Sequence, residues 1–270
     1  MKKADIYRPF LYFAGMCLIA FNWKNHPEYK LILVGNRDEF FERPSASLSK
    51  WEQGFFAGKD LKAGGTWMGM HPNGRFATLT NYRDLKNPKK DPKTRGNLVK
   101  DFLESEISPL EYLKRIEAEK DSYEGFNLFV GDQDHLFYLS NYKDGIEEIQ
   151  PGLYGISNAL LDTPWTKLEI AKNRLVQNIE EGQLDYGSMF EVVHSKKMDP
   201  DELLPDTGAT YHQEKHLSAQ FIRIDDYYGT VNSTVLLWKH SGEVVMLERT
   251  FDQLKGETSD SKVEFEVFKP

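Results

Sequence analysis

The sequence predicts an α+β fold in which antiparallel sheets are layered against helices. Short apolar runs bounded by turn residues fill both ends of the chain, clear helical periodicity is confined to its middle, and hairpin-like turns such as Ser241-Gly242 join neighbouring runs. No internal repeat, low-complexity tract or linker divides the sequence. Residues 17–270 therefore read as one domain, with residues 1–16 as an N-terminal extension or the product of a mis-assigned start.

The elements follow in order. Cys17 to Trp23 and Lys30 to Asn36 are two strands joined by the polar turn Lys24 to Glu28, which holds Pro27, so they predict an antiparallel hairpin. A glycine-rich passage (Gly64, Gly65, Gly69, Gly74) leads to a strand over Arg75 to Asn81. Ser108, Pro109 and Glu111 then give a helix start: a capping hydroxyl, a first-turn proline, and an acid placed to reach back to the cap. Strands return at Gly125 to Gly131, His135 to Asn141 and Gly152 to Asn158. Thr163 and Pro164 open the clearest helix, with Trp165, Leu168, Ala171, Leu175 and Ile179 at helical spacing until Gly182. A further helical segment spans Met189 to His194, and a loop rich in Asp and Pro follows it. Strands at Ala219 to Ile224, Ser233 to Trp238, Glu243 to Arg249 and Lys262 to Phe268 close the chain.

Composition excludes several functions. With 270 residues and 40% apolar content the chain can bury a substantial core. Its 42 acidic and 34 basic residues give a net charge of -8 with no long block of either sign, which argues against a nucleic-acid surface. The basic stretch Lys86 to Arg95, broken by Pro88 and Pro92, reads as a solvated loop. A single cysteine excludes an intramolecular disulfide framework and a thiolate zinc site, and makes a reducing cytoplasm the expected compartment. Lys2 and Lys3 precede a partly apolar stretch, Phe10 to Phe21, but no small-residue cleavage site ends it, and no stretch reaches membrane-spanning length.

That one cysteine, Cys17, directly follows Met16. Were Met16 the start and removed, one residue would carry both a thiol nucleophile and an amine base, titrating near roughly 8.5 and 8. The alternative is a small buried hydrophobe in a strand. Across the hairpin stand Asn36, Arg37, Asp38 and Glu39, beside the head of the first strand. There Asp38 can hold an α-ammonium and Arg37 can lower the thiol pKa. The alternative is a solvated turn with surface ion pairs. His212 and His216 lie four apart without a zinc-protease signature, and the glycines at 64, 65 and 69 lack the Lys-Ser or Lys-Thr of a phosphate loop. Neither a metal nor a cofactor is expected.

A series of ordered motifs resembles the NRDE family, which includes the transport and Golgi organisation protein 2 group. They are Met16-Cys17-Leu18-Ile19, Asn36-Arg37-Asp38-Glu39-Phe40 with Arg43-Pro44, Gly64-Gly65-Thr66-Trp67-Met68-Gly69 and Leu79-Thr80-Asn81-Tyr82. Gly125-Phe126-Asn127-Leu128, Tyr154 to Leu160 with Thr163-Pro164-Trp165, and Tyr228-Gly229-Thr230 before Ser233 to Leu237 continue the match. The family in turn resembles N-terminal-nucleophile hydrolases of the penicillin V acylase and bile-salt hydrolase type. That resemblance implies a four-layer α/β/β/α sandwich with two antiparallel sheets. It implies that Cys17 attacks an amide or related acyl carbonyl, that its α-amine moves the proton, and that Asp38 positions the amine. Asn81 matches the place of an oxyanion donor and Asn158 a second polar position, with Asn36, Arg37 and Tyr82 as substrate contacts. The partner implied is a small acyl or amide substrate. The alternative is a non-catalytic carrier of an apolar ligand, such as a lipid, acyl thioester or haem, serving membrane traffic. The family typically carries Arg where this chain has Val231.

Overall fold

A computed structural model describes residues 15–268. Of the expected extension only Gly15 and Met16 fall within that span; residues 1–14 lie outside the described residues. The first sheet contains β1 (Met16–Trp23), β2 (Tyr29–Phe40), β10 (Gly152–Ile156), β11 (Arg223–Ile224), β12 (Tyr228–Lys239), β13 (Glu243–Asp252) and β14 (Glu257–Glu266). Its order is β10-β1-β2-β12-β13-β14, with β11 also paired to β12. The second contains β3 (Ser45–Lys50), β4 (Phe56–Asp60), β5 (Met68–Met70), β6 (Phe76–Asn81), β7 (Phe126–Gly131), β8 (Leu136–Ser140) and β9 (Glu147–Glu148), arranged in sequence order. The ladders of both sheets are antiparallel.

Side-chain alternation along β1 and β2 builds the layers. Ile19, Phe21, Leu31 and Leu33 meet Met68, Phe76 and Phe129 of the second sheet in the central core. Leu18, Ala20, Ile32 and Val34 turn the other way, onto α3 (Thr166–Glu180) and α4 (Tyr186–Glu191). The outer face of the second sheet packs Ala77, Leu79 and Leu128 against α1 (Gly96–Glu104) and α2 (Pro109–Ala118). Three apolar interfaces therefore separate four layers, helices, sheet, sheet, helices, as the resemblance implies. A strand buried on both faces reads as a continuous apolar run, which is the pattern of Cys17 to Phe21.

Local signals act where expected. Ser108 caps α2 by accepting from the Glu111 amide at 3.3 Å, with Pro109 in the first turn. Gly182 follows α3 at φ 67°, a left-handed turn beyond the helix end.

Several elements differ from expectation. The second strand does not stop at Asn36 but runs through Phe40, because each residue of that tail gains a ladder partner on β1 or β12. The strand expected from Ala219 shrinks to Arg223–Ile224, since α5 (Tyr211–Leu217) takes the chain up to Leu217 and Ser218 closes it. His212 and His216 are both on α5, the first exposed and the second half-buried. β3, β4 and α1 arise where the sequence reading placed no particular element. β3 is a polar edge strand, and α1 buries Leu98, Val99, Phe102 and Leu103, an apolar stripe with helical spacing.

Candidate active site

The β1–β2 ladder places Cys17 opposite Arg37 and Met16 opposite Asp38. Alternation then divides the four. Cys17 and Arg37 point between the sheets, where the Arg37 guanidinium lies 4.3 Å from the ring centre of Trp67. Met16 is buried with Leu217, Ile222, Ile224 and Tyr228 on the helix side. Asp38, fully buried, accepts a 2.6 Å hydrogen bond from the Thr230 hydroxyl. The NRDE segment is therefore part of the protein interior, not a solvated turn.

Trp67 owes its place to Gly58, where an added Cβ would lie 2.4 Å from the indole ring. It forms one wall of a cleft of about 890 Å³ into which Cys17, Arg37, Glu39 and Asn81 also project. The thiol is 8% exposed. Burial pushes it up to about 12, and the Asp38 carboxylate adds to that; Arg37 and Arg95 pull the other way. Burial likewise raises Asp38, opposed by the Thr230 hydrogen bond and by the charges of Lys167 and Arg37. Its second oxygen, Oδ2, has no hydrogen-bond partner among the described residues.

Two asparagines meet at the head of β1 from different sheets. Asn81 ends β6, and its side-chain amide donates to the Gly15 carbonyl. Asn158, just beyond β10, donates to the Asn81 carbonyl at 2.9 Å and accepts from the Cys17 amide at 3.5 Å. Ser157 donates to the Cys17 carbonyl at 2.8 Å. The Met16 amide is held by the Tyr228 hydroxyl at 2.6 Å. The Gly15 carbonyl, the Met16 amide and both the amide and the carbonyl of Cys17 are thus held by side chains.

Cys17, Arg37, Asp38, Asn81 and Asn158 come together, whereas Asn36 and Tyr82 lie apart from the cleft. Asn36 is on the opposite face of β2, donating to the Val193 and Gln220 carbonyls at 2.8 and 3.0 Å and accepting from Ser233 at 2.6 Å. Tyr82 stacks on Tyr142 with ring centres 3.8 Å apart. Val231 sits in a β-bulge between Thr230, paired with Asp38, and Asn232, paired with Arg37.

Sequence reasoning missed two groups. Lys167, at the start of α3, is 3% exposed and donates to the Leu217 carbonyl at 3.0 Å. Its pKa is lowered by burial and by Arg83, itself buried against Glu214 at 3.2 Å, while Asp38 opposes the shift. Nothing in the helical periodicity marks this lysine. Arg95 is the second. The stretch read as a solvated loop ends on the cleft wall, with Lys93, Thr94, Arg95 and Gly96 facing it. The Leu98-Val99 and Phe102-Leu103 spacing was a legible helix signal that would have put Arg95 at a helix start.

Fold and site together define the class of protein: an α/β/β/α sandwich with a thiol at the head of a central strand and an asparagine from each sheet beside it. The chain belongs to the Transport and Golgi organisation 2 family, whose profile matches residues 16–253. It is 35% identical over 260 residues to the human Transport and Golgi organization protein 2 homolog, covering 87% of this chain and 93% of that protein. The mouse homolog is 34% identical over 258 residues with the same coverage. The Drosophila melanogaster Transport and Golgi organization protein 2 is 29% identical over 279 residues, covering 92% and 98%. Among solved structures, the Caenorhabditis elegans N-acylethanolamine-hydrolyzing acid amidase ortholog aligns with a TM-score of 0.43 at 12% identity, over 82% of this chain and 92% of its own. No helix among the described residues is long and apolar enough to cross a membrane.

Proposed function

We propose that the chain is a cysteine N-terminal-nucleophile hydrolase of a linear amide or related acyl bond, active once the residues before Cys17 are gone. The observation that carries this reading is the buried Asp38 carboxylate facing Met16 with Oδ2 unpartnered among the described residues. A buried acceptor left without a donor is costly. A free Cys17 ammonium, one bond from where Met16 now stands, would supply that donor.

In the proposed reaction the Cys17 amine takes the thiol proton as Sγ attacks the carbonyl carbon. The tetrahedral intermediate collapses to a thioester, and the amine returns the proton to the leaving nitrogen. Water then attacks the thioester, with the amine again as base, releasing the carboxylic acid and restoring the thiol. Asn158 Oδ1, now on the Cys17 nitrogen, would hold the amine. The Asn81 amide, released from Gly15, would receive the oxyanion, a contact worth about 3 kcal/mol in the transition state. The single thiol suits a reducing cytoplasm, which is the compartment proposed.

A second reading is favoured by the thiol's pKa of about 12 while the upstream peptide is attached. In that state the cleft is open but the nucleophile is silent, and the protein would hold an apolar acyl ligand without cleaving it.

Intact mass of protein isolated from its native cells tests the first reading, which expects Cys17 as the first residue. An electrophilic acyl probe should then label Cys17 and fail on Cys17→Ser, with labelling reduced about 100-fold in Asp38→Asn. A stable N-terminus upstream of Cys17 sinks the hydrolase and leaves the carrier.

A further inference from the structure

The fully buried carboxylate of Asp38 is only half satisfied: Oδ1 accepts from Thr230, and Oδ2 has no hydrogen-bond partner among the described residues. Charged and titratable groups reach it from four elements. Thr230 and Tyr228 face it from β12, Lys167 from α3, Arg37 and Glu39 from either side on β2, and Cys17 from β1. Arg37 turns between the sheets, onto Trp67 and toward Glu39 at 3.5 Å. Lys167 is the cation that meets Asp38 from the helix side, the side on which α3 packs.

Three features oppose a positive charge at Lys167. It is 3% exposed, it shares the Trp165 ring with the Arg83 guanidinium, the two lying 5.6 and 4.9 Å from the ring centre, and it stands in the first turn of α3, where the helix dipole is positive. Asp38, Cys17 and Glu214 favour the charge, and Glu214 is engaged by Arg83 at 3.2 Å. One of the ammonium's three donors goes to the Leu217 carbonyl at 3.0 Å. Leu217 packs with Met16 and Tyr228, so this ammonium lies at the edge of the cluster that encloses the residue before Cys17. A carboxylate short of a donor and an ammonium short of an acceptor occupy one buried compartment.

A buried compartment tolerates balanced charges far better than an uncompensated one. Were Asp38 without a fixed cation, its ionised form would demand an ammonium at Cys17, and an ammonium cannot take the thiol proton. With Lys167 charged, the pair is already neutral, and Asp38 can accept an N–H of the uncharged amine. We propose that Lys167 is a positioning residue for the Cys17 amine: its ammonium balances the Asp38 carboxylate from the helix side and leaves the amine free to act as a neutral base. The effect on the amine rests on the hydrolase reading; the pairing of Lys167 with Asp38 does not. A purely structural lysine would tie α3 to Leu217 and leave protonation at Cys17 unchanged.

The single cysteine makes the test direct, because cysteine labelled with carbon-13 reports on one residue. In protein whose first residue is Cys17, the Cα resonance follows the amine. Lys167→Met should raise the amine midpoint by about one pH unit, and Lys167→Arg should restore part of the difference. Acyl-probe labelling near pH 7 should fall about ten-fold in Lys167→Met and recover at higher pH, since the acid limb moves with the amine. The pairing is tested on the full chain by the urea midpoints of Lys167→Met, Asp38→Asn and the two combined. The double variant should be no less stable than the worse single variant, because removing both charges leaves neither one buried alone. Additive losses, or an unmoved amine midpoint in folded Lys167→Met, overturn the proposal. If Lys167→Met does not fold, the double variant decides: folding restored by Asp38→Asn supports the pairing, and no restoration overturns it. A shifted midpoint without amide hydrolysis would defeat the hydrolase reading alone, whereas hydrolysis with an unmoved midpoint would defeat only the role of Lys167.

Discussion

The Thr230 hydroxyl donates to one carboxylate oxygen of Asp38 at 2.6 Å, inside a region where both residues have no exposed surface. Thr230 in turn accepts from the Ile222 amide at 2.9 Å. This short chain of bonds holds the carboxylate beside the position that a free Cys17 amine would occupy. Thr230→Val keeps the shape and removes both bonds. It should destabilise the protein by about 1–3 kcal/mol in urea titrations, because two buried groups lose their partner. It should also lower acyl-probe labelling of the processed protein, which a purely structural role for Asp38 would not require.

The thiol supplies a second prediction. With the upstream peptide attached, its pKa of about 12 leaves far less thiolate at pH 8 than an ordinary cysteine at 9.0. Iodoacetamide should therefore react about a thousand-fold more slowly with Cys17 than with a free cysteine at that pH. The rate should keep rising past pH 10. Protein beginning at Cys17 should react faster at pH 8, and equal rates for the two forms would contradict the burial argument.

Glu248 gives a pH dependence that is independent of the nucleophile. It is 2% exposed and accepts from the Leu48 amide at 2.8 Å. Burial pushes its pKa from 4.5 up to about 7, against the pull of the Leu48 bond and of Arg37. A carboxyl raised on folding favours the native state most below its unfolded pKa. That contribution is lost as pH rises from about 4.5 through 7. Relative to Glu248→Gln, the native protein should lose up to about 3 kcal/mol across this window. Parallel stability curves for the two would show that Glu248 ionises normally.

Arg75 closes the C-terminal end of α1. Its guanidinium donates to the Phe102 carbonyl at 3.1 and 2.9 Å, to Ile107 at 2.8 Å and to Ser105 at 2.9 Å, and packs 3.9 Å from the Phe102 ring centre. Arg75→Ala should cost about 2–4 kcal/mol and lower the melting temperature. Arg75→Lys should recover little, since an ammonium cannot span three acceptors.

Much of the architecture was legible because it rests on local rules. Continuous apolar runs at β1 and β2, the Ser108 cap and the spacing along α3 announce themselves. The hairpin turn then places Asn36 to Glu39 beside Cys17. What the sequence could not show is which face each residue takes. Asn36 and Arg37 are neighbours in one motif, yet period-2 alternation sends the first to the helix side and the second to the cleft. Lys167 was hidden for a different reason: its neighbours are Asp38, Arg83 and Glu214, drawn from three distant parts of the chain. A lysine one residue from an apolar helical stripe looks solvated until tertiary contacts cover it.

The bulge at Val231 has a consequence of its own. One unpaired residue separates the partner of Asp38 from the partner of Arg37, so Thr230 and Asn232, two apart in the chain, still fall on opposite sides of the sheet. Removing Val231 would set Thr230 and Asn232 consecutively opposite Asp38 and Arg37, restoring a regular ladder and relaxing the local bend, whereas exchanging its side chain leaves the bulge in place. Position 231 therefore bends and twists β12 beside the site by its presence in the chain.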